Sequence, residues 1–243
     1  MEQKKGNIFI GCSGFSYDHW DENFYPSELS KNKRFEYYTE QFSTVELNVT
    51  FYRTPKEQTF HRWYEKSPDN FRFAVKGSRY ITHLKRLKDP KEHVQYLFSR
   101  INILKEKLAV VLWQFPPRFE YNKERFHRFI DELEKYDVYH AFEFRHKSWM
   151  ENIEGLLPDK KNYTLVRADW PEYLSDITEG GFAYIRRHGG GSYNVDYDHS
   201  FLQNDAEYCK KVQEQGKDVF IYFNNDANGY APKNAKEVED MIS

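Results

Sequence analysis

A single closed (β/α)8 barrel of the TIM type, an α/β fold spanning residues 1–243 with some outer helices short or missing, is the architecture this sequence predicts. Two observations point to it. Apolar runs of strand type alternate with helix-periodic stretches from one end of the chain to the other, eight times, with no linker or low-complexity tract between them. Within those runs the polar residues gather in the later half of each strand, which in a barrel is the end that carries function. An open doubly wound sheet is the rival, but the first strand lacks the GxGxxG turn that such a sheet uses for dinucleotides.

The elements follow in order. Ile8–Gly14 reads as the first strand, and Phe35, Tyr38 and Phe42 follow at helical spacing. Thr44–Tyr52 is the second strand, with Phe60, Trp63 and Tyr64 on the next helix. Phe71–Lys76 is the third, followed by a polar segment, Ser78–Lys88, long enough to serve as a lid. Asp89-Pro90 then caps the clearest amphipathic helix, with Val94, Leu97, Phe98, Ile101 and Leu104 on one face. Leu108–Phe115 is the fourth strand, stopped by Pro116-Pro117, and Phe126, Phe129, Ile130 and Leu133 mark its helix. His140–Trp149 is the fifth, with a short helix near Ile153 to Leu157. Thr164–Trp170 is the sixth, and Pro171–Gly180 leaves little room for a helix. Phe182–His188 is the seventh, running into Gly189-Gly190-Gly191. Asp205–Gln215 is helical and Gly216 ends it. Asp218–Asn224 is the eighth strand, before a short terminal helix ending near Ile242.

Composition narrows the function. The 243 residues include 20 Phe, 19 Tyr and 5 Trp, so rings carry most of the burial. With 36 basic and 38 acidic residues the net charge is −2, which argues against a general nucleic-acid or membrane coat while leaving room for a locally basic groove. Cys12 and Cys209 are too few for a disulfide scaffold or a cysteine-held zinc. With no signal-peptide pattern at the start and no apolar run near the length of a membrane span, a cytoplasmic protein is expected.

Strand parity locates the candidate site. Successive side chains alternate between faces, so in the fifth strand Phe142 and Phe144 lie on one side and Ala141, Glu143 and Arg145 on the other. The same rule sets Glu46 and Asn48 inward on the second strand, Lys76 on the third, Gln114 on the fourth and Arg167 with Asp169 on the sixth. Tyr184, Arg186 and His188 follow on the seventh, and Tyr222, Asn224 and Asp226 on the eighth. Lys76, Arg145, Arg167 and Arg186 then oppose Glu46, Glu143 and Asp169, with His83 and His188 able to add positive charge. Surplus cations in a sheltered bowl favour an anion. The glycines after His188 could bring backbone amides to a phosphate, although a plain surface loop reads equally well. Arg–Glu pairs in a packed barrel can also be purely structural. No metal site or cofactor is called for by spacing, though carboxylates and imidazoles from separate strands could converge on an ion. Tyr17, Trp20 and Trp149 either line a pocket or belong to the core.

The stretches GCSGFSYDHW…FYP (11–26), VELNVTFYRTP (45–55), FRFAVKGSRYITH (71–83), LWQFPPRF (112–119), AFEFRHKSW (141–149), RRHGG (186–190) and YFNNDANGYAPKNA (222–235) resemble the YecE-like family, the group numbered seventy-two among domains of unknown function. The resemblance covers nearly the whole chain and implies a single TIM-type barrel without implying a reaction. It draws attention to Tyr17, Glu46, Asn48, Lys76, His83, Gln114, Glu143, Arg145, His188, Asn224, Asn225 and Asp226.

Three functions are then expected to compete. The first is an enzyme on a small phosphate- or carboxylate-bearing substrate. Glu46, Glu143 and His188 would do acid–base work there, since a carboxylate in a partly dry mouth can have its pKa raised toward working pH. Tyr17, Asn48, Lys76, His83, Gln114, Arg145, Trp149, Arg167, Asp169, Arg186, Asn224, Asn225 and Asp226 would hold the substrate. The second is a single-stranded nucleic-acid binder or processor stacking bases on Tyr and Trp. The third is a non-catalytic ligand-binding barrel.

Overall fold

The computed structural model describes residues 4–158, 161–169 and 180–243. Eight parallel strands close into a barrel in sequence order. They are β1 (Ile8–Ser13), β2 (Thr44–Leu47), β3 (Arg72–Lys76), β4 (Leu108–Gln114), β5 (Tyr139–Glu143), β6 (Tyr163–Ala168), β7 (Ala183–Arg187) and β8 (Val219–Phe223). Pairing of Ile8 with Val219 through Cys12 with Phe223 closes the ring. The outer layer holds α1 (Arg34–Gln41), α2 (Val49–Tyr52), α3 (Glu57–Lys66), α4 (Lys91–Ile101), α5 (Lys123–Leu133), α6 (Lys147–Met150), α7 (His199–Glu214) and α8 (Tyr230–Ile242). Among the described residues no helix is long and apolar enough to cross a membrane.

Two cores follow from strand alternation. Inside the barrel, small residues such as Ala74, Ala141 and Ala168 pack with Val110, Leu112, Val166, Tyr184 and Tyr222. Its N-terminal end is plugged by stacked rings, Phe9 on Phe220 and Tyr139 on Phe182, with centroids 4.8 and 4.3 Å apart. Between barrel and helices lies a larger aromatic layer, in which Phe115, Phe142, Phe144 and Trp149 meet Phe126 of α5. Each such ring, taken fully out of water, stabilises the fold by roughly 1.5–3 kcal/mol.

Several strands end earlier than their sequence suggests, and this shapes the mouth. β2 stops at Leu47, not Tyr52, because the chain turns into α2. There Thr50 Oγ1 donates to the carbonyls of Leu47 and Lys76, at 2.8 and 2.7 Å, so Asn48 and Thr50 leave the strand's alternation. β5 stops at Glu143. The short helix after it is α6 at Lys147–Met150, while Ile153–Leu157 forms turns. The segment after β3 folds into a π-helical turn, Tyr80–Leu84, a form frequent at functional sites. α7 begins at His199, six residues earlier than expected, where Asp198 caps it by accepting from the Phe201 amide. Trp170 and most of Pro171–Gly180 lie outside the described residues.

Candidate functional site

Above the apolar interior the next inward-facing layer is polar. Arg186 is fully buried on β7 and stands at its centre. Its Nε and Nη2 donate to the two Glu46 oxygens, at 3.0 and 2.8 Å, and its Nη1 donates to Glu143 Oε2. Glu46 also accepts from Ser13 Oγ at 2.7 Å and Tyr184 OH at 2.6 Å. Glu143 accepts from Gln114 Nε2 at 2.8 Å and Arg145 Nε at 2.7 Å. Burial works to raise both carboxyl pKa values. For Glu46 the charge of Arg186 and hydrogen bonds from Arg186 and Tyr184 outweigh it, holding the pKa below the usual range. For Glu143 the cations Arg145 and Arg186 push it well below. The expectation of carboxylates raised toward working pH is therefore corrected: both stay ionised.

Lys76 is different. It ends β3 facing the same bowl, is 8% exposed, and its ammonium lies 4.2 Å from the Phe51 ring centroid. Among the described residues its ammonium has no hydrogen bond or ion pair. Burial, then repulsion from Arg186, pushes its pKa down to about 7. His83, on the π turn, sits edge-on to Phe51 with Nδ1 2.9 Å from Thr82 Oγ1. Burial, then the charges of Lys76 and Arg145, bring its pKa down to about 4. His188 has Arg186 Nη1 at 3.2 Å and Glu143 Oε2 at 3.8 Å from Nε2, and Asn224 Nδ2 at 3.0 Å from Nδ1. Its pKa is lowered too, by burial and then Arg186. At neutral pH the bowl thus presents neutral imidazoles, saturated carboxylates and an unpaired lysine.

Other predicted residues line the rim. Tyr17 donates its hydroxyl to the Ser13 carbonyl at 2.6 Å, and the nearby charge of Asp226 is among the causes, after burial, that raise its pKa. Asp226, itself raised by burial, pairs with His19 Nε2 at 3.3 Å. Asn48 stands between β2 and α2 with its Oδ1 unpartnered among the described residues.

Four placements differ from the sequence reading. Arg167 points to the outer layer, its guanidinium 4.4 Å from the Tyr208 ring of α7, because Val166 and Ala168 take the inward positions of β6. Trp149 is core: it stacks on Phe144 with centroids 4.4 Å apart and donates Nε1 to the Phe119 carbonyl at 2.6 Å. Asp169 accepts from the His188 and Gly190 amides, at 2.6 and 3.0 Å, and from Tyr197 OH, while Gly189 N donates to Tyr197 OH. The amides expected to cradle a phosphate are therefore already used, and Gly189–Gly191, all at positive φ, form a fixed turn. Asn225 ties the loop before α7 to α8 through Val195 O and Asn234 Oδ1, at 2.7 and 2.8 Å.

Sequence reasoning missed Ser13, Phe51 and Tyr184 as members of the site. Parity had placed Tyr184 beside Arg186; the other two carried no local signal. Arg186 lies between Glu46 and Glu143, where a shared divalent ion would sit. Among the described residues no group of three His, Cys, Asp or Glu is disposed to hold a metal.

The family model described as Protein of unknown function DUF72 matches residues 9–243. The chain belongs to the DUF72 family. UPF0759 protein YunF of Bacillus subtilis is 26% identical over 270 residues, covering 97% of this chain and 94% of that protein. The crystal structure of a DUF72 family protein, TM1631 of Thermotoga maritima, superposes with a TM-score of 0.85 at 30% identity, covering 97% of this chain and 99% of that one. D-psicose 3-epimerase of Clostridium cellulolyticum H10, solved with D-tagatose, shares the barrel fold at a TM-score of 0.56 and 12% identity, over 96% of this chain and 98% of that one. The DUF72 barrel thus presents its polar layer at the C-terminal strand ends, the face on which TIM-type enzymes work.

Proposed function

We propose that this DUF72 protein is an enzyme that binds a small phosphate- or carboxylate-bearing substrate in the mouth of its barrel. The observation that carries the reading is Lys76: a nearly buried cationic side chain that no described carboxylate pairs. Leaving a buried charge unpaired costs several kcal/mol, and an anionic ligand offsets that cost. Glu46 and Glu143 are too near Lys76 to be irrelevant but are saturated by other donors, so they serve as fixed counter-charges that hold Arg186 and Arg145 in place. The anion would rest on Lys76 and Arg145, with Asn48 Oδ1 accepting from a substrate hydroxyl or amide. His188, neutral at working pH and fixed by Asn224, is the group best placed to move a proton.

The test is a calorimetric titration with inorganic phosphate and with malonate near neutral pH. Saturable binding is expected, weakened at least roughly tenfold in Lys76→Met and Arg145→Met. Equal affinity in wild type and both variants defeats the assignment. His188→Gln is expected to keep anion affinity and to abolish any turnover found by screening phosphorylated and carboxylated metabolites.

A second reading draws on the rim. Arg79, Lys85, Arg86 and Lys88 are exposed in the same segment as Tyr80, over whose ring Lys85 lies, and Tyr80 and Tyr52 are 42% and 70% exposed. Cations interleaved with exposed rings suit a single-stranded nucleic acid. Affinity for an oligonucleotide should then fall steeply with salt, and replacing all four cations by Ser should flatten the slope. A flat slope in the wild type removes this reading.

A further inference from the structure

We propose that Lys76 is a nucleophilic amine that condenses with the carbonyl of an anionic aldehyde, ketone or 2-oxo acid to form an imine. The inference rests on the mouth being an anion site and goes beyond it, by assigning the substrate a carbonyl and Lys76 a covalent role.

The geometry is that of a held, sheltered and unengaged amine. The Lys76 carbonyl accepts from Thr50 Oγ1 at 2.7 Å and the next amide, Gly77 N, donates to Leu112 O at 2.8 Å, so the backbone beneath the side chain is pinned from β2 and β4. Phe51 covers Nζ from one side. The groups facing the amine come from three other strands: Glu46 of β2, Glu143 of β5 with Arg145 just beyond it, and Arg186 of β7. His83 of the π turn feels the lysine's charge in return. Both carboxylates are committed elsewhere, Glu46 to Ser13, Tyr184 and Arg186, and Glu143 to Gln114, Arg145 and Arg186. Neither makes a hydrogen bond or ion pair to the lysine, while two guanidiniums repel its proton. A desolvated lysine beside other cations is the arrangement that frees a nucleophilic amine near neutral pH. The pKa of about 7 agrees with that arrangement.

The step balances without any co-reactant. The lysine lone pair forms a bond to the carbonyl carbon as the C=O π pair moves to oxygen, giving a carbinolamine. The C–O bond then breaks, and the oxygen departs as water with both of the amine's hydrogens. Neutral His188 can carry one of those protons from nitrogen to oxygen, and Arg145 would hold the substrate's anionic group meanwhile. Protonation of the imine makes it an electron sink, so carbon–carbon cleavage, decarboxylation or proton exchange at the adjacent carbon are the reaction classes that would follow.

The experiment is reductive trapping. The full chain is incubated near neutral pH with cyanoborohydride and pyruvate, glycolaldehyde phosphate or acetone, and adducts are counted by intact mass and located by peptide mapping. One adduct per chain is expected with the anionic probes, on Lys76, formed roughly 100-fold faster than on an average exposed lysine of ordinary pKa. Acetone should label at least about tenfold more slowly than pyruvate if an anion contact contributes even ~1.4 kcal/mol. Lys76→Arg is expected to lose the adduct, while phosphate binding by the wild-type chain, measured separately, reports on the anion site. Label spread over exposed lysines, or a Lys76→Arg protein labelled like wild type, overturns the proposal. If phosphate and pyruvate bind but Lys76 takes no adduct, the imine falls and the anion site stands. If neither binds, both fall together.

Discussion

At the scale of single residues, Arg186 organises the interior polar layer. It bridges two carboxylates that would otherwise repel each other in a low-dielectric setting, and it does so with a planar fork that no lysine reproduces. Arg186→Met should therefore destabilise the protein by roughly 3–5 kcal/mol in urea unfolding, because it strips buried Glu46 of its ion pair and leaves Glu143 with Arg145 alone. Adding Glu46→Gln should recover part of that loss by removing one stranded charge, and Arg186→Lys should recover less than the native fork. A loss under about 1 kcal/mol would mean that water or rotation satisfies the pair instead. Parity alone brought Glu46, Glu143, Arg186 and His188 into one layer, because the opposite face of each strand is mainly apolar: Val45 and Leu47 on β2, Phe142 and Phe144 on β5, Ala183 and Ile185 on β7. It misplaced Arg167 because β6 is buried on both faces, so Leu165 and Val166 look alike to a hydrophobic pattern. It could not foresee that Asp169 and Tyr197 would consume the glycine amides, since that pairing spans residues far apart in sequence.

At the scale of elements, the end of β3 and the turn that follows carry the strongest constraint. Gly77 follows Lys76 directly, and a Cβ there would lie 2.4 Å from Trp113 Cε3. Trp113 is itself fully buried and donates Nε1 to His140 Nδ1 at 3.1 Å, so it has nowhere to move. Gly77→Ala is expected to cost roughly 1–3 kcal/mol in a calorimetric melt, as overpacking of a rigid core does. The same change should weaken phosphate binding, because the displaced strand end carries Lys76. Native stability with native binding would show that β3 can slide without disturbing the mouth. Strand existence and order were readable from apolar runs; strand ends were not. β2 and β5 stop where a side chain or short helix captures the backbone, as Thr50 does for Leu47 and Lys76. Nothing in Thr44–Tyr52 distinguishes that capture from five more residues of strand. The long reach of α7 was hidden for a related reason: its start depends on the Asp198 cap, not on apolar periodicity.

At the scale of the whole molecule, the chain is nearly neutral overall while its barrel-mouth charges are concentrated and largely buried, so pH acts on stability through a few buried groups. Lys76 gives the cleanest case. Its folded pKa of about 7 lies below an unfolded value of about 10.4. Between those values the unfolded chain binds more protons than the native one, so the lysine's contribution to stability rises with pH across that window. Below about pH 7 the side chain is charged in both states and the full penalty of burying it is present; above about pH 10 it is neutral in both and the penalty is gone. Lys76→Met should therefore be more stable than wild type by an amount on the order of 2–4 kcal/mol near pH 6, and that advantage should shrink steadily toward pH 10. Titrating groups remote from Lys76 are shared by both proteins and cancel in the difference, whereas His83, whose pKa Lys76 helps to lower, takes up its proton at a higher pH in the variant. His83, with a folded pKa of about 4, titrates below the window. Saturating phosphate should narrow the gap at the acidic end, because the anion pairs the charge that wild type otherwise leaves bare. Urea unfolding of both proteins at several pH values, with and without phosphate, measures this directly. Parallel stability curves would mean that Lys76 stays hydrated and charged throughout, and the mouth would then lose the one feature that selects an anion.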